Sequence, residues 1–139
     1  RRVLFRSRVF DCLVEQNRRW AGAAPVLMIS VAKPTFDRGG RTNRHAPHDV
    51  GLATMNLMLQ AQALGLAAHG MAGFSRKTAH ATFGIPEDHE PMAAVALGYP
   101  GEADTLPEDL AEKERAPRER RPLDDWVFGE TWGETAPFV

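Results

Sequence analysis

The stretch from Asp49 to Phe74 reads DVGLATMNLMLQAQALGLAAHGMAGF, and it decides how the rest of the chain is arranged. Between Val50 and Leu66 apolar residues cover nearly every face, which is typical of a helix packed on most sides. Asp49 is predicted to be the N-cap, because its carboxylate can accept an N–H of the first turn. Gly65 suits the left-handed residue that ends a helix. The stretch therefore predicts a long buried core helix that leads into a short, glycine-bracketed loop.

The composition is that of an ordinary globular protein. At 139 residues the chain is predicted to form a single domain, with 43% apolar and 25% charged residues. Its one cysteine, Cys12, excludes an internal disulfide and is interpreted as a small buried hydrophobe. No secretory signal is visible, and the core helix, about 24 Å long, is too short to cross a membrane. These features favour a reducing, cytoplasmic compartment.

The first seven residues, RRVLFRS, need a separate explanation. They are the translation of the DNA string AGA CGT GTG CTC TTC CGA TCT, which resembles a common sequencing-library adapter. Our hypothesis is that Arg1 to Ser7 are adapter-derived and that residues 8–139 are the natural part. Removing three arginines leaves 17 − 3 = 14 basic against 18 acidic residues, so the formal charge changes from −1 to −4.

Predicted strands and helices alternate around the core helix. Two apolar runs bounded by prolines are predicted to be buried strands, Val26–Ala32 and Met92–Tyr99. Helical patterns fall at Val9–Trp20, Ser75–Phe83 and Glu108–Glu114, and a polar loop is expected at 33–47. This layout predicts an α+β or α/β fold in which helices cover a sheet.

Two other functions receive little support from the residues. His45, His48 and Asp49 are metal-ligand types, but Pro47 interrupts their helical spacing and no second cluster exists, so no metal site is predicted. The arginines near residue 120 are interspersed with acidic residues, which argues against nucleic-acid binding.

Four ordered segments resemble the nitroreductase family, the FMN-dependent NAD(P)H oxidoreductases. They are NRRWAGAAPVLMISVAK, DVGLATMNLMLQAQALGLAAHGMAGF, FGIPEDHEPMAAVALGYPG and RAPRERRPLDDWVFGETWG. The resemblance covers about Arg8 to Gly133, the C-terminal two thirds of such a domain, and lacks the family's N-terminal FMN-binding segment. It implies a nitroreductase-like α+β fold with a central, mostly antiparallel sheet flanked by helices. The form HGMAGF at 69–74 resembles the branch of desulfurisation-associated flavin reductases.

The resemblance implies two sites for the cofactor FMN. Met71, Ala72 and Gly73 would lie beside the flavin, with the Ala72 backbone N–H donating to flavin N5, where it would tune hydride transfer. Gly70 and Gly73 would permit close approach of backbone to the planar ring. His69 would line the substrate pocket, donate to a flavin oxygen or make a structural hydrogen bond to backbone.

The second implied site is the FMN phosphate. Arg118 and Arg120 match two alternate basic residues of the family, and residues i and i+2 of an extended segment face the same way. Two guanidiniums can then bind one phosphate with charge-assisted hydrogen bonds, while Arg121 points away.

The activity implied is a two-step cycle in a homodimer, with NAD(P)H as reductant. The acceptor would be a nitroaromatic, a quinone or free flavin. Two alternatives stay open: a non-catalytic fragment or flavin-binding module without turnover, and an FMN enzyme with another reaction, such as reductive dehalogenation. Trp126, Phe128 and Trp132 are expected to pack in the core or on the partner subunit.

Overall fold

The computed structural model describes residues 2–138, with side chains from Arg6 onward; Arg1 and Val139 lie outside the described residues. Arg2 to Ser7, which the adapter hypothesis assigns to a non-native segment, belong to the first helix. The elements are α1 (Arg2–Cys12), α2 (Glu15–Ala21), β1 (Val26–Ala32), α3 (Ala46–Ala63), β2 (Ala67–Met71), α4 (Arg76–Phe83), β3 (Glu90–Gly98) and α5 (Glu108–Arg115), with 3₁₀ turns at Ala103–Thr105 and Leu123–Asp125.

The sheet has three antiparallel strands in the order β1-β3-β2. Val26 pairs with Leu97 at one edge, and Ala67 pairs with Gly98 at the other. The register of β1 shifts between Ser30 and Val31. The predicted α+β class with an antiparallel sheet is confirmed, and so are both predicted strands.

Helices cover both faces of this sheet. Side chains alternate along a strand, so Leu27, Ala94 and Ala96 share one face, and there they pack with α1, α2 and α4 in the buried core. Helix α3 covers the opposite face and contacts all three strands. Cys12 is buried in the core, as predicted.

The long helix starts earlier than the sequence predicted. It begins at Ala46, with His45 at the N-cap position, so the assignment of Asp49 as N-cap is wrong. Pro47 lies in the first turn, where a missing N–H costs nothing, and the helix can therefore begin before Asp49. Its end is as predicted, because Gly65 is left-handed at φ 72°.

The burial predicted for α3 is also wrong. Only Ala46 and Ala61 are buried, whereas Leu52, Met55 and Leu59 are 53%, 54% and 55% exposed. The helix contacts the sheet on one side, and no other element of residues 2–138 covers its outer side. The apolar residues that suggested packing all round form an uncovered surface instead.

The helix predicted at Val9–Trp20 is two helices with a break at Leu13 and Val14. Ser75 N–H donates to Cys12 O at 2.7 Å, and Val14 N–H donates to Gly73 O at 3.1 Å. The break joins this backbone to the turn that follows β2. Helical periodicity continues through it, so the sequence pattern did not indicate it.

The predicted short helices are confirmed. Ser75 caps α4, since its side chain accepts the Thr78 N–H at 3.1 Å, and Gly84 ends α4 in the left-handed region at φ 62°. Helix α5 extends one residue beyond the prediction. The aromatic tail was expected in the core or on a partner subunit. Trp132 is 89% exposed and its ring contacts Phe128 at 4.9 Å between centroids, so Trp132 is outside the core, and packing on a partner stays a prediction.

Candidate functional site

The turn predicted to face the flavin follows a strand rather than the long helix directly. β2 separates α3 from the turn and ends at Met71, which is buried. Ala72 is exposed, and Phe74 is buried again, with its N–H donating to Ala72 O at 3.0 Å. The exposed Ala72 is thus held between two buried side chains, and its backbone has a fixed place at the surface.

Helix α2 holds this turn from behind. The Gly73 carbonyl accepts two hydrogen bonds, from the Val14 N–H at 3.1 Å and from Asn17 Nδ2 at 2.9 Å. A backbone carbonyl with two donors is fully satisfied. The sequence predicted only that Asn17 lies within the helical pattern of Val9–Trp20, and nothing in the spacing indicated this contact, which joins residues 56 positions apart.

The two glycines near the turn have packing reasons of their own. A Cβ at Gly73 would lie 2.7 Å from Asn17 Nδ2 and 2.8 Å from Val14 Cγ2, so any other residue would require these side chains or α2 to shift. A Cβ at Gly70 would meet Met58 Cε of α3 at 3.3 Å. Close approach to a flavin stays a prediction for both, but neighbouring side chains already account for the missing Cβ.

His69 lies on β2, opposite Ala96 of β3, on the strand face shared with Met71. Its exposed ring meets Trp20 of α2 edge-on, with 4.9 Å between ring centroids and 69° between planes. Within residues 6–138 the His69 ring makes an aromatic contact and no hydrogen bond. Of the three roles left open for His69, the hydrogen bond to backbone is therefore not formed within the described residues. The other two, lining the substrate pocket and donating to a flavin oxygen, stay predictions.

The arginine segment lies beyond α5. Arg118 and Arg120 are exposed, and neither makes an ion pair with any residue of the described chain. Arg121 differs, because its Nε lies 3.8 Å from the Asp125 carboxylate. The Arg120 guanidinium donates from Nη1 to the Glu119 backbone carbonyl at 2.8 Å, a contact that leaves its other N–H groups uncommitted within the described chain. Arg118 and Arg120 thus both keep donors for an external anion.

No direct hydrogen bond or ion pair joins the arginine segment to the 71–73 turn within residues 6–138. Helix α2 contacts the turn and also α5, the helix that precedes the arginine segment. Arg19 of α2 donates from Nη1 to Asp109 Oδ2 at 2.8 Å, with a parallel bond from Nη2 to Oδ1, and these bonds anchor α5. The same hydrogen bonds lower the pKa of Asp109 below its ordinary value.

Two grooves flank α3 on the opposite face of the sheet. The larger, about 480 Å³, lies between the C-terminal half of α3 and β2, where Met55, Met58, Leu59 and Leu66 line it. The smaller, about 300 Å³, lies between Val50, Leu57 and β1. Both grooves are mostly apolar and continue into the uncovered surface of α3.

Neither a metal cluster nor a membrane helix occurs in the part of the chain that the structure describes. No three His, Cys, Asp or Glu side chains there converge on one point. None of the described helices combines the length and apolar character needed to cross a bilayer.

A three-stranded antiparallel sheet flanked by helices, with an exposed turn after an edge strand, defines an α+β protein. The sequence of residues 9–99 matches the nitroreductase family, and the chain belongs to that family. This confirms the family that the four segments indicated.

Similar proteins include one sequence relative and two solved structures. An uncharacterized 15.4 kDa protein from the ask 5′ region of Mycolicibacterium smegmatis is 39% identical over 121 residues, which are 87% of this chain and 80% of that protein. A solved oxidoreductase containing FMN has a TM-score of 0.84 at 32% identity, over 91% of this chain and 65% of that one. A nitroreductase family protein from Clostridium difficile 630 has a TM-score of 0.56 at 27% identity, over 78% of this chain and 61% of that one. The chain therefore spans less than two thirds of either solved protein.

Proposed function

We propose that this protein is an FMN-dependent oxidoreductase that takes reducing equivalents from NAD(P)H. The observation that carries the proposal is the turn at Ala72, exposed at the end of β2 and fixed from behind by α2. Membership of the nitroreductase family and the similarity to a solved oxidoreductase containing FMN support it. The acceptor would be a nitroaromatic, a quinone or free flavin.

The residues present fit the cofactor at both of its ends. The backbone of Met71, Ala72 and Gly73 would lie beside the flavin ring, with the Ala72 N–H as its donor. Arg118 and Arg120 would bind the phosphate, because both are exposed and without an acidic partner in the described chain. When bound, FMN supplies hydride transfer at its N5 atom. The turn contributes orientation, and none of these side chains has to move a proton.

The first experiment is a cofactor titration. The purified protein is titrated with FMN and followed by the quenching of flavin fluorescence, and then by bleaching of the visible spectrum with NADH or NADPH under nitrogen. Replacing both Arg118 and Arg120 with Ala should weaken FMN binding by about 100-fold, since two charge-assisted contacts to phosphate are removed.

The matched control for this substitution is Arg121→Ala. It removes the same charge from the same segment, but Arg121 pairs with Asp125, and FMN binding should be nearly unchanged. Equal loss of affinity in the control and the double variant would contradict the assigned roles. Binding without bleaching would favour a flavin-binding module without turnover.

We further propose that the protein is a homodimer that uses the uncovered side of α3. Leu52, Met55 and Leu59 are spaced i, i+3 and i+7, so they form one exposed apolar stripe. Exposed apolar stripes of this kind mark interaction surfaces. A second copy of the chain packed on this stripe would bury the apolar side chains that a single chain leaves exposed to water.

The oligomeric state can be measured by sedimentation. Leu59→Glu should convert the dimer to monomer, because it places a charge in the stripe. Gln60→Glu adds the same charge on the neighbouring polar residue and should leave the dimer intact. A wild-type monomer at high concentration would refute the proposed dimer.

A further inference from the structure

Helix α2 bonds to the 71–73 turn near its start and to α5, the helix that precedes the arginine segment, near its end. At its start, Val14 and Asn17 donate to the carbonyl of Gly73. One turn later, Arg19 forms two parallel bonds to the carboxylate of Asp109 on α5. A helix of seven residues is short and stiff, so its two ends have a fixed separation.

The segment that carries the arginines is tethered through α5. Ala111 of α5 is 1% exposed, so the helix is packed at its centre, and Arg115 at its end pairs with Asp104 of the preceding 3₁₀ turn. Arg118 follows Arg115 by three residues, which can span at most about 10 Å of extended chain. The position of α5 therefore limits the region that Arg118 can reach.

The Arg19–Asp109 contact has the geometry of a positioning pair. Its two bonds match the planar guanidinium to the carboxylate, an arrangement that fixes direction as well as distance. The side chains are 37% and 53% exposed, so water screens the attraction and its effect on global stability is small. The Arg19–Asp109 pair therefore mainly fixes the orientation of α5 relative to α2.

We propose that Arg19 and Asp109 are positioning residues for the FMN phosphate site. They hold Arg118 and Arg120 at the distance from the Ala72 turn that one FMN molecule requires. This inference rests on the proposed function, because it assigns the phosphate to those arginines. Neither Arg19 nor Asp109 touches the cofactor in this assignment.

The test compares FMN with riboflavin, which has the same ring system and no phosphate. Dissociation constants for both are measured for the wild type, Arg19→Ala, Asp109→Ala and the charge-reversed pair Arg19→Asp with Asp109→Arg. In either single variant the FMN dissociation constant should rise about fivefold, the scale of one partly exposed ion pair, with riboflavin affinity unchanged. The charge-reversed pair should recover most of the FMN affinity.

The control is Arg76→Ala, which breaks the comparably exposed ion pair between Arg76 of α4 and Glu90 of β3. It should change neither dissociation constant. Equal weakening of FMN and riboflavin in Asp109→Ala, or no weakening of FMN, would overturn the positioning role while the proposed function stands. A wild type that binds neither flavin would overturn the proposed function, and the positioning role would fall with it.

Discussion

Replacement of Gly73 by alanine tests whether α2 really holds the turn. An added Cβ would lie 2.7 Å from Asn17 Nδ2 and 2.8 Å from Val14 Cγ2, closer than real contacts allow. Either these two side chains or the backbones of α2 and the turn must shift. The Asn17 hydrogen bond to the Gly73 carbonyl, at 2.9 Å, is lengthened in either case, because Asn17 Nδ2 is one of the clashing atoms.

The magnitude follows from two contributions. Overpacking costs about 1–3 kcal/mol, and a weakened hydrogen bond costs roughly 1 kcal/mol more. Val14 is 43% exposed and can yield in part, so we expect a loss of about 2 kcal/mol in the free energy of unfolding. With an unfolding entropy of about 2.1 cal/mol/K per residue over 139 residues, roughly 0.29 kcal/mol/K, the melting temperature should fall by about 7 °C.

The assay is urea unfolding followed by circular dichroism, with Gly101→Ala as matched control. A Cβ at Gly101 would have no neighbour within 4 Å, so this variant should be as stable as the wild type. In an Asn17→Ala background, Gly73→Ala should cost about 1 kcal/mol less, because one of the two clashes is gone. If Gly73→Ala is as stable as Gly101→Ala, the close approach of α2 to the turn is refuted.

Three further predictions concern the core, the ion pairs and the buried thiol. Leu27→Ala should lower the free energy of unfolding by about 3 kcal/mol in urea titrations, because Leu27 is 1% exposed, and Leu123→Ala, at a 52% exposed position outside the α3 stripe, should cost far less. Hydrogen bonds from Lys33 and Arg19 lower the pKa of Asp37 and of Asp109 below the ordinary 3.8. Their stabilising contribution is therefore complete above pH 3.8 and is lost as the pH falls through the lowered values, so Asp109→Asn should reduce the acid dependence of unfolding. Burial raises the pKa of the Cys12 thiol, and its alkylation should be slow in the native protein and fast in denaturant; fast native alkylation would contradict the packed core.

Strong local patterns predicted most of the fold. Apolar runs between prolines identified β1 and β3, and the serine cap with a following glycine identified α4, because each signal lies within its own segment. β2 was missed because AAHGM has no β-branched residue, and it is a strand only through pairing with β3. The break at Leu13 was missed for the same reason, since its hydrogen bonds go to residues 73–75.

In the candidate site, too, features carried by local sequence were predicted and features that depend on distant residues were not. The family resemblance identified the turn at Met71–Gly73 by its own residues, and the donation from Ala72 N–H to flavin N5 stays a prediction. The contacts of Asn17 with this turn and of Arg19 with α5 were not predicted, since each joins residues far apart in the chain. Burial of α3 was overpredicted because apolar residues indicate that a surface is more stable when buried. They do not indicate whether the same chain or another molecule buries it.

The strand order has a consequence for folding during synthesis on the ribosome. β3 lies between β1 and β2, yet it is the last strand to be synthesised. The Val26–Leu97 pair joins residues 97 − 26 = 71 positions apart, and neither outer strand has a strand partner before residues 90–98 emerge. Pairings this distant in sequence form slowly. The apolar strand β1 is therefore unpaired, and able to aggregate with other chains, until residues 90–98 have been synthesised. A chaperone that binds unfolded chains should raise the yield of folded protein.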